Sequence, residues 1–390
     1  MKPLEDLTVV SLEQAVAAPF ATRQLADLGA RVIKVERPGA GDFARHYDET
    51  VNGLSSHFVW LNRSKESLAV DLKSEHGREV VQALVARADV FVQNLAPGAA
   101  ERLGLGAATL RAQHPGLIHC SISGYGTGGP YTDKKAYDLL VQCESGLVSV
   151  TGTPETAVKV GISVADIAAG MYAYTGILNA LLRRGATGQG ATLEVSMLEA
   201  LAEWMAFPMY YGWYGGTDPV RSGASHSAIA PYGPFPCGDG GQVFLGIQNE
   251  REWAAFCAKV LDQPGLATDS RFATNSLRVA HREELTAAIA EAFASLDTDA
   301  VVDRLEEAGI ANARLRDLHG LVEHEQLAAR DRWRVVGSPA GPLRALVPPA
   351  MPDGEEPAMG AIPTVGEHTT RILAELGLTD QAPDEQREDQ

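Results

Sequence analysis

The stretch from Leu7 to Glu36, LTVVSLEQAVAAPFATRQLADLGARVIKVE, decides the fold class. It opens on a β-branched run, Leu7–Leu12, of strand length. Pro19–Leu28 follows, rich in Ala and Leu at helical spacing, and Arg31–Glu36 returns to β-branched residues. Strand, helix, strand at this spacing predicts a βαβ unit. Such a unit is best satisfied by a parallel sheet with a right-handed crossover.

Outward from that unit the alternation continues. Ser67–Leu72, Val90–Asn94 and Leu117–Ser123 read as strands, and Glu75–Ala88 as a helix. Asp166–Arg184 predicts a long helix. The glycine-rich GATGQG (185–190) separates it from a strand over Ala191–Val195, and Met197–Tyr211 predicts another helix. Gly212–Gly241 changes texture to glycine, proline and aromatics, as a linker or a site-forming loop does. Gln242–Ile247 reads as a strand, Glu250–Ala294 as amphipathic helix broken near Pro264, Val301–Ala308 as helix and Ala311–Leu315 as strand. Pro339–Pro363 is extended, Gly366–Leu376 helical, and the final DQAPDEQREDQ polar and expected to fray. The expected plan is a large α/β domain begun by residues 1–200, a linker at 201–224 and a small α+β domain at 225–310. Residues 311–390 then return to complete the large domain.

Composition narrows the function. The 390 residues are 45% hydrophobic and 21% charged, an ordinary globular balance. Lys plus Arg number 33 and Asp plus Glu 50, a net charge of −17. A polyanion is held by Lys and Arg that release its counterions, so neither nucleic acid nor an anionic membrane is an expected partner. The most apolar stretch, Ile167–Leu182, is shorter than the ~20 residues a membrane span needs. The N-terminus lacks the order of a signal peptide. Cys120, Cys143, Cys237 and Cys257 are scattered without a C-x-x-C pair, which predicts reduced thiols and a cytoplasmic location.

The βαβ start invites a dinucleotide, with Glu36 ending the second strand where an acid would hold a ribose. Yet the turn after the first strand, EQAVAAPFATRQ (13–24), has none of the glycines that let backbone approach a pyrophosphate. GYGTGG (124–129) precedes Pro130 rather than a helix and reads as a turn. The histidines form no H-E-x-x-H, and His319 and His324 flank a Gly320 expected to break their helix, so no metal site is expected. No G-x-S-x-G is present.

One carboxylate stands out. Asp166 lies in GISVADIAAG (161–170), an acid among small apolar residues where a helix begins. It reads either as an N-cap, satisfying an orphan N–H, or as a nucleophile kept ionised by the positive helix end.

With LADLGARVIKVERPGAGD (25–42), LNRSKESLAVDLKSEHG (61–77), ADVFVQNLAPGAAERLGL (88–105), ISGYGTGGPY (122–131), AYDLLVQCESGLVSVTG (136–152), SVADIAAG (163–170), TGQG (187–190) and GEHT (366–369), the chain resembles the class III CoA-transferases. That family includes formyl-CoA transferase and carnitine-pathway CoA-transferases, with α-methylacyl-CoA racemase as a relative. The resemblance implies a Rossmann-like large domain built from both chain ends, a smaller domain, and a homodimer of interlocked rings. It implies that Asp166 attacks a thioester and passes through an acyl anhydride and an aspartyl-CoA thioester. It implies CoA and acyl-CoA as substrates with no permanently bound cofactor. Arg37, Lys73, Asn94, Arg102, Lys135 and Tyr137 fall on CoA-contacting positions, and Val16 on a backbone contact near the thioester.

The racemases of the family place a His where Tyr137 stands. A phenol with an ordinary pKa of ~10 is a poor base, which favours transfer over racemisation. A catalytically silent CoA-binding subunit is the other alternative, disfavoured by the presence of Asp166. The 221–241 loop resembles that of members using succinyl-CoA and C4–C5 dicarboxylates. Arg221 and His226 there read either as ligands of a distal carboxylate or as loop anchors.

Overall fold

The structure is a computed structural model and describes residues 2–378. The polar tail expected to fray, 380–390, lies outside the described residues. The chain divides into two units. One comprises Met1–Leu147, Val160–Phe207 and the chain from Leu327 onward; the other comprises Val148–Lys159 and Pro208–Gln326.

In the first unit six strands form one parallel sheet: β1 (Thr8–Leu12), β2 (Arg31–Glu36), β3 (Lys65–Ala69), β4 (Val90–Gln93), β5 (Ile118–Ser123) and β6 (Thr192–Ser196). Their spatial order is β3-β2-β1-β4-β5-β6, so the winding reverses between β1 and β4. Strand residues alternate between two cores. Val9, Val32, Val90 and Val92 pack under α1 (Ala17–Asp27) and the long helix Val164–Thr187. Val10, Leu12, Ile33, Val35 and Phe91 pack with Val80, Val81 and Leu84 of the helix Glu75–Val85. Ile372 and Leu373 of the late helix Thr369–Leu376 join that second core, so both chain ends build it.

α1 and the long helix meet through small side chains. Ala17, Ala18 and Ala21 share a core with Ala165, Ala168, Ala169 and Ala173. At Gly170 the approach is close enough that a Cβ would stand 2.7 Å from the Ala17 carbonyl oxygen. Here the glycine answers to helix proximity, not to backbone freedom.

The second unit carries an antiparallel sheet in the order β7-β8-β9: β7 (Tyr232–Pro236), β8 (Gln242–Gly246) and β9 (Ala311–Arg314). Trp253, Phe256, Phe272, Ile289, Phe293 and Leu305 fill its core.

Several expectations shift. β7 lies inside the expected loop 212–241; its two prolines suit an edge strand, where a missing N–H costs no ladder bond. The expected helix 197–211 is two, Met197–Trp204 and Ala206–Gly215, so 201–224 is largely helical. β3 begins at Lys65, two residues early, because its pairing with β2 already starts at Val32 and Lys65. The 250–294 stretch breaks into four short elements before the helix Arg282–Phe293. The extended C-terminal region holds a hairpin, β10 (Trp333–Val336) with β11 (Leu343–Leu346). Gly320 sits within the helix Leu318–Val322 rather than breaking it.

Candidate active site

The carboxyl edge of a parallel sheet, where its winding reverses, is the place such folds bind ligands. Here β1 and β4 flank that crevice. The turn after β1 is clasped by Asn94, just past β4. The Asn94 Oδ1 accepts from the Gln14 backbone N–H at 2.9 Å, and its Nδ2 donates to the Gln14 carbonyl at 2.9 Å. Ala15 is forced to a φ of 61°, in the left-handed region, and its N–H donates to Asp42 Oδ1 at 3.2 Å. α1 starts immediately afterwards, with Val16 3% exposed.

Beneath this turn lies a buried ionic cluster. Lys65 Nζ donates to Glu13 Oε1 at 2.6 Å, and Lys34 Nζ to Asp42 Oδ2 at 2.8 Å. All four side chains are at the core of the unit. Burial pushes Glu13 upward, but Lys65 and Lys34 outweigh it and hold the acid at about 2. Glu36 is spent in the same way. Its carboxylate accepts from Arg45, from Ser67 Oγ and from the Asp42 N–H, leaving nothing for a ribose.

Asp166 occupies the third position of the long helix, not the cap. The helix returns the chain to the start of β6, so its N-terminus stands at the carboxyl edge of the sheet. Ser163 is the N-cap residue and its hydroxyl caps nothing. The capping oxygen comes from Asp138, on the helix Asp138–Glu144: Oδ1 accepts from Ala165 N at 2.8 Å and from Asp166 N at 3.4 Å. Among the described residues no hydrogen bond reaches the Asp166 carboxylate itself. Ile167 and Met171, its neighbours on the helix, pack against Val16 and Phe20. Burial first, and then the Asp138 charge, push Asp166 up to about 7. The expectation that the helix end simply keeps it ionised is therefore corrected. The positive helix end is already occupied by another carboxylate.

A carboxylate without hydrogen bonds, raised in basicity and bordered by small side chains, is equipped to attack an acyl carbonyl. Across its length this chain matches a known family of acyl carriers' enzymes, with residues 4–369 matched to CoA-transferase family III. The chain belongs to that family. It is 36% identical to the succinyl-CoA:glutarate CoA-transferase of Mus musculus, over 96% of this chain and 87% of that one. It is 33% identical to the succinyl-CoA:mesaconate CoA-transferase of Haloarcula marismortui, with 97% of both covered. Among solved structures, a CAIB/BAIF family protein from Brucella suis superposes with a TM-score of 0.84 at 33% identity, covering 96% of this chain and 99% of that one. The protein is a CoA-transferase.

Within this CoA-transferase the expected CoA-contacting residues distribute along one edge. Arg37 follows β2, Lys73 follows β3, and Arg102 lies on the short helix after β4; all three are exposed. Gly98, at φ 70°, makes room for Arg102, whose guanidinium would sit 2.8 Å from a Cβ there. Lys135 and Tyr137 come from the segment after β5, with Tyr137 67% exposed next to Asp138. Asn94 spends its side chain on Gln14.

Arg221 and His226 belong to the other unit. All three Arg221 nitrogens donate to carbonyls, of Thr153 at 2.8 Å, Pro154 at 2.8 Å and Ser149 at 3.2 Å. His226 Nδ1 accepts from Ala228 N at 3.1 Å, and its ring stacks on Tyr232. An accepting Nδ1 leaves the ring proton on Nε2.

Sequence reading missed Glu13, Lys34, Asp42, Lys65 and Tyr47. Tyr47 lies close enough to Asp42, Asp166 and Tyr137 that, after burial, they carry it up to about 12. The signal for the ionic cluster was a lysine in the middle of the apolar strand β2, Lys34, and another opening β3, Lys65. Among the described residues no cluster of His, Cys, Asp and Glu could hold a metal, and no helix is long and apolar enough to cross a membrane.

Proposed function

We propose that the enzyme moves CoA from succinyl-CoA to a C4–C5 dicarboxylate, with Asp166 as covalent nucleophile. The observation that carries this reading is the bare, raised carboxylate of Asp166 at the sheet's carboxyl edge. The names of the relatives, which use succinyl-CoA with glutarate or mesaconate, supply the substrate class.

An Asp166 oxygen attacks the donor thioester carbonyl; the C–S bond breaks and CoA leaves as thiolate, giving a mixed anhydride. The thiolate then attacks the aspartyl carbonyl, and the donor acid departs as carboxylate. The acceptor carboxylate attacks this aspartyl-CoA thioester, and the released thiolate attacks the acceptor's acyl carbon. Asp166 is regenerated. One thioester replaces another, so no external energy source enters.

Arg37, Lys73, Arg102 and Lys135 supply cations for the CoA phosphates, Arg as a fork and Lys as a point charge. Val16 offers backbone at the start of α1. His226, through Nε2, is the better candidate for a distal acceptor carboxylate, since Arg221 already has three carbonyls. Trp213 and Tyr214, 81% and 79% exposed, support a homodimer. The free, buried Cys120, Cys237 and Cys257 suit a reducing cytoplasm.

The test is an acceptor screen with succinyl-CoA as donor, read by mass spectrometry of the product thioesters. Glutarate, mesaconate, itaconate and citramalate should be charged, butyrate and valerate far less. Equal use of the monocarboxylates would overturn the dicarboxylate reading.

A further inference from the structure

Asp138 does something that neither the family's nucleophile nor its CoA contacts account for. It is the first residue of its helix, and one oxygen of its carboxylate reaches the start of another. Oδ1 takes the backbone N–H groups of Ala165 and Asp166. Oδ2 accepts from Gln142 Nε2 at 2.6 Å, and the Gln142 Oε1 accepts from Val160 N at 2.9 Å. Gln142 is fully buried. Asp138 and Gln142 thus clip the chain both where it approaches the long helix, at 160, and where the helix begins, at 165–166.

The clip has a chemical consequence. The second and third N–H groups of a helix are the ones a nearby carboxylate normally takes. With both on Asp138, none remains for Asp166, which faces a second carboxylate instead. Like charge disfavours the ionised form and favours a form in which the oxygen carries no charge. An acylated or thioesterified aspartate is such a form.

We propose that Asp138 is a positioning residue for CoA transfer: it caps the nucleophile's helix from outside, leaving Asp166 unbonded and biased toward its covalent, uncharged states. This rests on Asp166 being the nucleophile.

Other charged groups on elements packed against the long helix are engaged or remote. On α1, Arg23 pairs with Asp27 at 2.6 Å. On the Asp138 helix, Glu144 pairs with Lys134. On β6, Glu194 accepts from Thr127, and on β5 the His119 ring lies by the Leu105 carbonyl. Glu199 and Glu203, on the helix Met197–Trp204, are exposed. Tyr47, whose phenol burial and its charged neighbours raise to about 12, lies near Asp166 as a neutral group. Among these groups it is the Asp138 charge that, after burial, raises Asp166.

The experiment compares wild type, Asp138→Asn and Asp138→Ala. The readouts are the pH profile of kcat/KM for succinyl-CoA, the fraction of enzyme carrying aspartyl-CoA during turnover, and the thermal midpoint. Asn keeps the oxygen that takes the Ala165 and Asp166 N–H groups but turns its amide nitrogen towards Gln142 Nε2, so Asp138→Asn should melt somewhat below wild type and above Asp138→Ala. Removing the charge should move the acidic limb of the Asn variant down by about one pH unit. Its plateau rate should fall roughly threefold, the loss that a Brønsted slope of 0.4–0.5, as for thiolate nucleophiles, gives for one unit. Its steady-state adduct should fall as well. A wild type that forms no adduct on Asp166 overturns both this inference and the nucleophile reading. A normal wild-type adduct, with an unchanged limb and adduct fraction in Asp138→Asn, overturns this inference alone.

Discussion

Lys34 Nζ and Asp42 Oδ2 lie 2.8 Å apart with both side chains wholly removed from solvent. Asp42 has further duties: its Oδ1 accepts from Ala15 N and Ala44 N, so the pair anchors the strained turn that opens α1. Breaking a buried pair strands the surviving charge. Lys34→Met or Asp42→Asn should therefore cost roughly 3–5 kcal/mol in urea unfolding. Lys34→Met with Asp42→Asn together should cost less than the sum of the two single changes, since neither leaves a charge behind.

Glu13 gives that cluster its acid sensitivity. Its pKa falls from 4.5 to about 2 on folding, through Lys65 and Lys34 overcoming burial. A depressed acid contributes stability that is present above its unfolded pKa and is lost as pH falls through the folded one. Glu13→Gln should be less stable than wild type at pH 7, and the gap should narrow between pH 4.5 and about 2. Circular-dichroism melts across that window check it.

Asp166 has the opposite sign. Folding raises it from 3.8 to about 7, so the ionised form is disfavoured in the native state. The resulting cost is absent below the unfolded pKa and complete above the folded one. Asp166→Asn should lose transfer almost entirely yet melt higher than wild type at pH 8, by an amount worth roughly 1–3 kcal/mol. The gain should shrink towards pH 4. Equal gains at pH 8 and pH 4 would contradict the burial argument.

Arg37, Arg102 and Lys135 should serve the CoA end. Replacing each by Gln or Ala should raise KM for succinyl-CoA about tenfold, the worth of a charge-assisted hydrogen bond, and leave the acceptor's KM nearly alone. With dephospho-CoA thioesters the penalty should shrink at whichever residue meets the 3′-phosphate. Steady-state kinetics on both substrates separates these outcomes from misfolding, which would move both.

Arg221 and His226 should part company. Arg221→Ala frees three carbonyls of the 149–154 segment and should lower stability by about 1–3 kcal/mol without altering the order of preferred acids. His226→Ala should instead narrow the gap between glutarate and valerate. Competition assays with paired acceptors measure it.

The parallel sheet was legible because its strands are short apolar runs with β-branched residues, separated by helices of ordinary length. Asp166 was legible as an outlier, an acid among Ala, Ile and Gly at a helix start. Its neighbour in space was not. Asp138 lies 28 residues away, with Tyr137 in front of it drawing notice as the transferase residue. Nothing in local spacing says that the cap of one helix is supplied by another.

The sequence by itself determined the α/β class, the acidic surface, the family and the identity of the candidate nucleophile. Each rests on periodicity, composition or an ordered set of motifs, all of which are properties of the chain read in order. Only the tertiary structure decided what Asp166 is bonded to and what it is not. It also decided that Glu36 is consumed by Arg45 and Ser67, and that Lys34 and Lys65 are buried cations rather than solvated ones. Those are outcomes of burial and of contacts between distant segments. Charge pairing in a low-dielectric interior depends on distances that no sequence separation encodes.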